Sequence, residues 1–192
     1  MTRLYIADVT GLDIESCLGA VSPYRREKTL RLKNDGDKRR SLGAELLLKK
    51  AAGSCSYALT ENGKPYFPDG VCFSLAHCGD YALCAVSDHP VGADIELVRG
   101  NVLRLAERFF LPDEAALVQS AQCPEDEFCR LWTLKESYIK AADLRLGDVR
   151  SFSVVQGVEG FRFHSLRYGE YHIGCCVNAQ ETENIELTEE KL

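Results

Sequence analysis

The sequence predicts an α+β fold made of two similar α/β halves, each a small, mostly antiparallel sheet packed with helices. Three observations lead there. Apolar residues alternate with a period of two through residues 3–9 and 91–97, and β-prone runs fill residues 71–76 and 81–86. They recur at helical spacing through residues 22–52 and 128–140. A strand, helices and a strand pair occur once before about Pro90, and a similar order follows it with no linker-like stretch between. The expected division is residues 1–90 and 91–192.

Taken in order, residues 3–9 open with a strand. Ser22-Pro23 then supplies an N-cap and a proline at the first helical position, starting a helix rich in cations: Arg25, Arg26, Lys28, Arg31 and Lys33. Asn34-Asp-Gly-Asp37 reads as a break, so a second helix is expected from about Lys38 to Ala52 with Gly53 as its C-cap. On that reading Arg39 and Arg40 stand in a first turn and oppose the helix dipole, which an incoming anion would relieve; solvated arginines are the other reading. Asn62-Gly-Lys-Pro65 has turn chemistry, and residues 71–76 and 81–86 form a hairpin with His77 at its mouth. Further on, Asn101 caps a helix through Phe110, Pro112 opens another, and Cys123-Pro124 precedes the long helix that carries residues 128–140. Strands are expected at residues 151–155, 160–166 and 171–178. The acidic tail from Gln180 is expected to fray.

With 192 residues, 45% hydrophobic and 27% charged, the chain can bury a real core. Its net charge of −6 argues against general nucleic-acid binding, so any polyanion site must be local. Nine cysteines without CxxC spacing, several inside apolar runs, point to reduced thiols in a cytoplasmic protein rather than to disulfides or zinc. The N-terminus lacks a secretory pattern, and no apolar run approaches the roughly 20 residues that span a bilayer. No membrane association is expected.

The chemistry concentrates in two stretches. In residues 91–97, Val91, Ala93, Ile95 and Leu97 take one strand face, while Gly92, Asp94 and Glu96 take the other, so two carboxylates point the same way. In residues 128–140, Phe128, Trp132, Glu136 and Lys140 follow one another at i, i+4. Alone, Glu136 and Lys140 read equally well as a surface pair worth about 0.3–0.5 kcal/mol. Set beside Asp94 and Glu96, they make a third carboxylate and a cation. Oxygen-only donors suit a hard ion such as Mg²⁺, which leaves positions for substrate phosphate. Together with Lys135, Lys140, His77 and the basic helices, they describe a site for a phosphorylated small molecule. No P-loop, kinase loop or GxGxxG is present.

Gly92-Ala-Asp-Ile-Glu96 and Trp132-Thr-Leu-Lys-Glu-Ser-Tyr-Ile-Lys140 resemble the two signature motifs of the 4'-phosphopantetheinyl transferases, in the larger pseudo-dimeric type typified by the surfactin synthetase activator. Arg39-Arg-Ser-Leu42, Gly63-Lys-Pro65 and Ser74-Leu-Ala-His77 fall in that family's order, so the resemblance covers about residues 22–155. It implies an enzyme that moves the phosphopantetheine arm of coenzyme A onto a serine of an apo carrier protein and releases adenosine 3',5'-bisphosphate. It also implies that Asp94, Glu96 and Glu136 hold Mg²⁺, with Glu136 a candidate base, and that Lys135 and Lys140 serve the phosphates. Lys28 and Arg40 would hold the 3'-phosphate, Gly63, Lys64 and Pro65 would lie along the adenine, and His77 would touch phosphate. The chain departs from the pattern at Ala76 and Cys78, where hydroxyl residues commonly flank the histidine. The expected form is a monomer that meets its carrier through a local basic patch, Arg99, Arg104 and Arg108 or the first helix. The alternatives are a non-catalytic module that binds coenzyme A or a carrier protein, and, further off, a metal phosphohydrolase.

Overall fold

The computed structural model describes residues 1–98, 100, 102–180 and 184–192. Strand β1 (Arg3–Asp8) leads into helices α1 (Ile14–Leu18), α2 (Pro23–Leu30) and α3 (Asp35–Ala52). Short strands β2 (Ala58–Leu59) and β3 (Pro65–Tyr66) precede β4 (Cys72–Cys78), β5 (Tyr81–Ser87) and β6 (Val91–Leu97). Helices α4 (Leu103–Phe109), α5 (Pro112–Ser120) and α6 (Pro124–Ala141) follow, then a 3₁₀ turn at Leu146–Arg150 and strands β7 (Phe161–Tyr168), β8 (Tyr171–Asn178) and β9 (Glu186–Glu189).

The architecture is α+β. One sheet runs β4-β5-β1-β9 and the other β6-β8-β7, with β2 and β3 as a separate pair. The sheets share one apolar cluster, to which Leu4, Ile6, Leu83 and Ala85 come from the first and Val91, Ala93, Ile95, Ile173 and Cys175 from the second. On the far face of the first sheet, Ala7, Phe73 and Cys84 pack against Leu47 and Leu48 of α3. Burial on both faces explains why residues 82–85 of β5 read as a continuous apolar run. Among the described residues, no helix is long and apolar enough to cross a membrane.

Helix α6 lies on β6 and β8, and glycine permits it. A Cβ built on Gly92 would overlap the carbonyl oxygen of Ser137, and one on Gly174 would overlap that of Thr133. Gly174 is the cross-strand partner of Asp94, so the glycines flank that carboxylate on the face beneath the helix.

Four expectations change. Helix α3 begins at Asp35 with Asp35 and Asp37 in its first turn, where acids suit the dipole, so residues 34–37 start a helix instead of breaking one. Arg39 and Arg40 therefore sit beyond that turn and do not oppose the dipole. His77 belongs to β4 and not to the hairpin turn. Residues 151–155 form bends and turns, and the tail folds back as β9, parallel to β1 and tied by a Lys50–Glu190 ion pair at 2.7 Å. Arg99 and Asn101 lie outside the described residues.

Gly174→Ala should lower stability by about 2 kcal/mol or more, since the added methyl meets helix backbone that cannot rotate aside. Chemical denaturation would read this, with loss of activity exceeding loss of folded protein because α6 carries the reactive side chains. A variant of wild-type stability would contradict the close seating.

Candidate active site

A cavity of about 380 Å³ opens where α2, α3, the loop at residues 62–65, β4, β6 and the end of α6 converge. Arg25 and Lys28 of α2, His77 of β4, Asp94 of β6 and Lys140 of α6 line it, with Gly63, Lys64 and Pro65 in its wall. Helix α2 starts as the sequence implies, with Ser22 Oγ accepting the Arg25 N–H at 3.2 Å and Pro23 in the first turn. Arg25 and Lys28 then share a face at i, i+3. Burial and the neighbouring Arg25 charge both hold the Lys28 ammonium below its ordinary range.

On α6, Glu136 and Lys140 are one turn apart on the side that faces β6. Lys140 Nζ donates to Asp94 Oδ1 at 2.7 Å and to the Ala93 carbonyl at 3.1 Å. Asp94 Oδ2 is buried with no hydrogen-bond partner. Burial pushes the Asp94 carboxyl up and Lys140 works against that rise. Glu136 is pushed up to about 7, first by burial and then by the negative charge of Asp94, with Glu96 adding to it. The three carboxylates therefore stand within one another's field. Among the described residues, however, no three His, Cys, Asp or Glu side chains form a ready-made metal-binding group. Glu96 Oε2 accepts from the Cys78 thiol at 3.3 Å, and Glu96 also borders a neighbouring apolar pocket of about 300 Å³ with Phe109, Phe128 and Trp132.

His77 keeps an exposed edge at the cavity. Crowding by protein atoms, then the charges of Lys140 and Arg40, push its imidazole down to about 4. Arg40 itself donates to the Gly79 carbonyl at 2.8 Å and pairs with Asp37, so it stands near His77 with its guanidinium already engaged. Lys64 lies half-buried against the end of α6, its Nζ 3.4 Å from the Ala141 carbonyl.

Lys135 is the clear correction. It was expected at the phosphates, yet it is fully buried on the other side of α6. Its ammonium donates to both Glu114 oxygens at 2.9 and 2.8 Å and to the Phe152 carbonyl at 2.8 Å, and it lies 4.4 Å from the Phe152 ring centroid. Five residues along a helix turn a side chain by about 140° from Lys140. Two charged residues of the cavity, Arg25 and Asp143, were not singled out as site residues from the sequence. Arg25 was visible only as one cation among several, and its i, i+3 spacing to Lys28 was the usable signal. Asp143, in a left-handed conformation at φ 53°, accepts from Thr60 Oγ1 at 3.1 Å and through its carbonyl from Asn62 Nδ2 at 2.7 Å. Nothing in the sequence marked it.

A cleft lined by Arg25, Lys28, Lys64 and Lys140 together with the carboxylates Asp94 and Asp143 has a composition that suits a phosphate ester. Comparison with known proteins makes the class specific. The 4'-phosphopantetheinyl transferase superfamily model matches residues 90–186, and the chain belongs to that superfamily. It is 35% identical over 150 residues to a 4'-phosphopantetheinyl transferase of Bacillus subtilis, covering 71% of this chain and 67% of that protein. To the transferase Sfp of Bacillus subtilis strain 168 it is 29% identical over 182 residues, or 88% of this chain and 80% of Sfp. To the transferase gsp of Aneurinibacillus migulanus it is 37% identical over 131 residues, 63% and 55% of the two chains. The protein is accordingly an enzyme of the 4'-phosphopantetheinyl transferase family.

Two measurements check this geometry. Lys135→Met should strand the Glu114 carboxylate in the core and cost about 3–5 kcal/mol by denaturation. In the ligand-free protein, the His77 ring protons should titrate by NMR below about pH 5, because the folded state resists protonation that the unfolded chain accepts near 6.5. The same sign means that His77 contributes stability above 6.5 that is lost as pH falls through 4. A midpoint above 6 would contradict the cationic surroundings described.

Proposed function

We propose that the protein transfers the 4'-phosphopantetheine arm of coenzyme A to a serine of an apo carrier protein and releases adenosine 3',5'-bisphosphate, with Mg²⁺ required. The observation that carries this reading is a single cavity lined by the cations Arg25, Lys28 and Lys140 together with His77 and the carboxylate of Asp94. Coenzyme A carries a 3'-phosphate and a 5'-pyrophosphate on one ribose, anions that suit these cations. On this reading Arg25 and Lys28 bind the 3'-phosphate, with Arg40 adding positive potential nearby. Gly63, Lys64 and Pro65 lie along the adenine, and His77 and Lys140 meet the pyrophosphate.

The donor set fits a hard dication. Asp94, Glu96 and Glu136 offer oxygen only, Asp94 Oδ2 lacks a partner, and the carboxylates' mutual repulsion is what a cation would relieve. When bound, Mg²⁺ would neutralise charge on the pyrophosphate oxygens. The chain's own groups then have simple tasks. Lys140 neutralises, and can protonate, the departing phosphate, and Glu136 accepts the serine proton as that oxygen attacks phosphorus. The serine comes from the partner, so no nucleophile is needed here. Ala76 sits in the core shared by the two sheets, and at that position only backbone remains to meet phosphate.

The same reading takes the two helix-covered sheets as duplicated halves, 1–90 and 91–192, with β9 returning to the first. It takes the protein as a cytoplasmic monomer, with Arg104 and Arg108 of α4 available to an acidic carrier.

Incubation with coenzyme A, Mg²⁺ and an apo carrier should raise the carrier's mass by one phosphopantetheine. Asp94→Asn or Glu136→Gln should lower turnover at least about a hundredfold, roughly 3 kcal/mol, without unfolding the protein. Either variant within threefold of wild type would remove that residue from the site, and an unchanged mass across several carriers would favour a binding module. Arg25→Ala should erase most of the preference for coenzyme A over dephospho-coenzyme A, which is expected to be about tenfold or more.

A further inference from the structure

We propose that Glu45 is a positioning residue for the cofactor's anion: its buried carboxylate holds the Arg25 guanidinium so that the terminal nitrogens face the cavity. This rests on the reading of the α2 end of the cavity as the 3'-phosphate site.

Glu45 lies on the inner face of α3 and is fully buried. A carboxylate there must be fully hydrogen-bonded, and it is. Oε1 accepts the backbone N–H of Ser22, the N-cap residue of α2, at 2.5 Å. Oε2 accepts Arg25 Nε at 3.0 Å together with the Tyr57 hydroxyl. One carboxylate thus fixes both the start of α2 and the side chain three residues in. Tyr57 is pushed up to about 12, by burial first and then by its bond to Glu45, so it stays a donor throughout the working range and never competes with Glu45 as an anion.

The division of labour within Arg25 is the informative part. Arginine carries five N–H donors in a rigid fork, and here Nε is spent inward on Glu45. The side chain is 8% exposed yet lines the cavity, and among the described residues no protein acceptor bonds its two terminal nitrogens. A purely structural pair would turn its bidentate face to the carboxylate, as arginine commonly does. This one keeps that face free beside Lys28. Lysine would bring its donors together at one compact ammonium, without a separate inward Nε and outward pair of terminal nitrogens.

Steady-state kinetics with coenzyme A and dephospho-coenzyme A, at saturating apo carrier, tests the assignment. Glu45→Gln keeps the shape but offers an amide where two donors now converge. It should raise the KM for coenzyme A about tenfold or more, with kcat within about threefold and the dephospho-coenzyme A KM little changed. Arg25→Lys should behave similarly, and it decides the matter if Glu45→Gln fails to fold. In the Arg25→Ala background, Glu45→Gln should add nothing. An equal KM rise for both cofactors, an effect additive to Arg25→Ala, or wild-type kinetics in Arg25→Lys would overturn the role of Glu45. If Arg25→Ala itself leaves the cofactor preference intact, the 3'-phosphate reading fails, and the proposed role falls with it for that separate reason.

Discussion

The structure depends on how closely α6 can approach the sheet beneath it. At residues 92 and 174 the helix backbone occupies the space that a side chain would need, and Asp94 stands between those two positions on the same face. The carboxylate is therefore pinned under the helix with one oxygen held by Lys140 and the other unpartnered. A larger residue at either glycine would lift the helix and separate the ion pair. The closeness that buries Asp94 also raises Glu136, so packing and acid–base character have one cause.

Much of this was legible in the chain. The strand at residues 91–97 was read with its true bounds, because alternation over seven residues admits only one assignment of faces, and β8 was read with its true bounds as a β-prone run set off by a glycine turn. The Ser22-Pro23 start of α2 was legible because its capping chemistry is local. What escaped depended on partners distant in sequence. Residues 186–189 carry little apolar character and become a strand only because β1 has a free edge beside them. Residues 34–37 look like a break by composition, yet two aspartates in a first turn are what a helix N-terminus prefers.

Lys135 and Lys140 show the limit of motif reading at a single helix. Both belong to the same signature stretch and both are cations, but the helical twist sends them to opposite sides. Lys135 meets Glu114, and burial of the pair is made tolerable by the Phe152 carbonyl and the N–H groups of Leu111 and Val154 on Glu114. The deciding residue, Glu114, lies 21 positions away, and nothing in the spacing of the motif points to it.

Charge satisfaction separates scaffold from site throughout the protein. At Glu114–Lys135 and at Glu45 each buried charge has enough hydrogen bonds, and such groups hold elements together. Around the cavity the pattern inverts: Arg25 stands beside Lys28, Lys140 and Arg40 bear on His77, and Asp94 and Glu96 bear on Glu136. Like charges so arranged weaken the free protein, and each cluster would be relieved by the opposite charge of a ligand: phosphates for the cations and a metal ion for the acids. Glu45 stands at the boundary, satisfied itself while leaving the outer face of Arg25 unsatisfied, which is how a scaffold contact can be converted into ligand affinity.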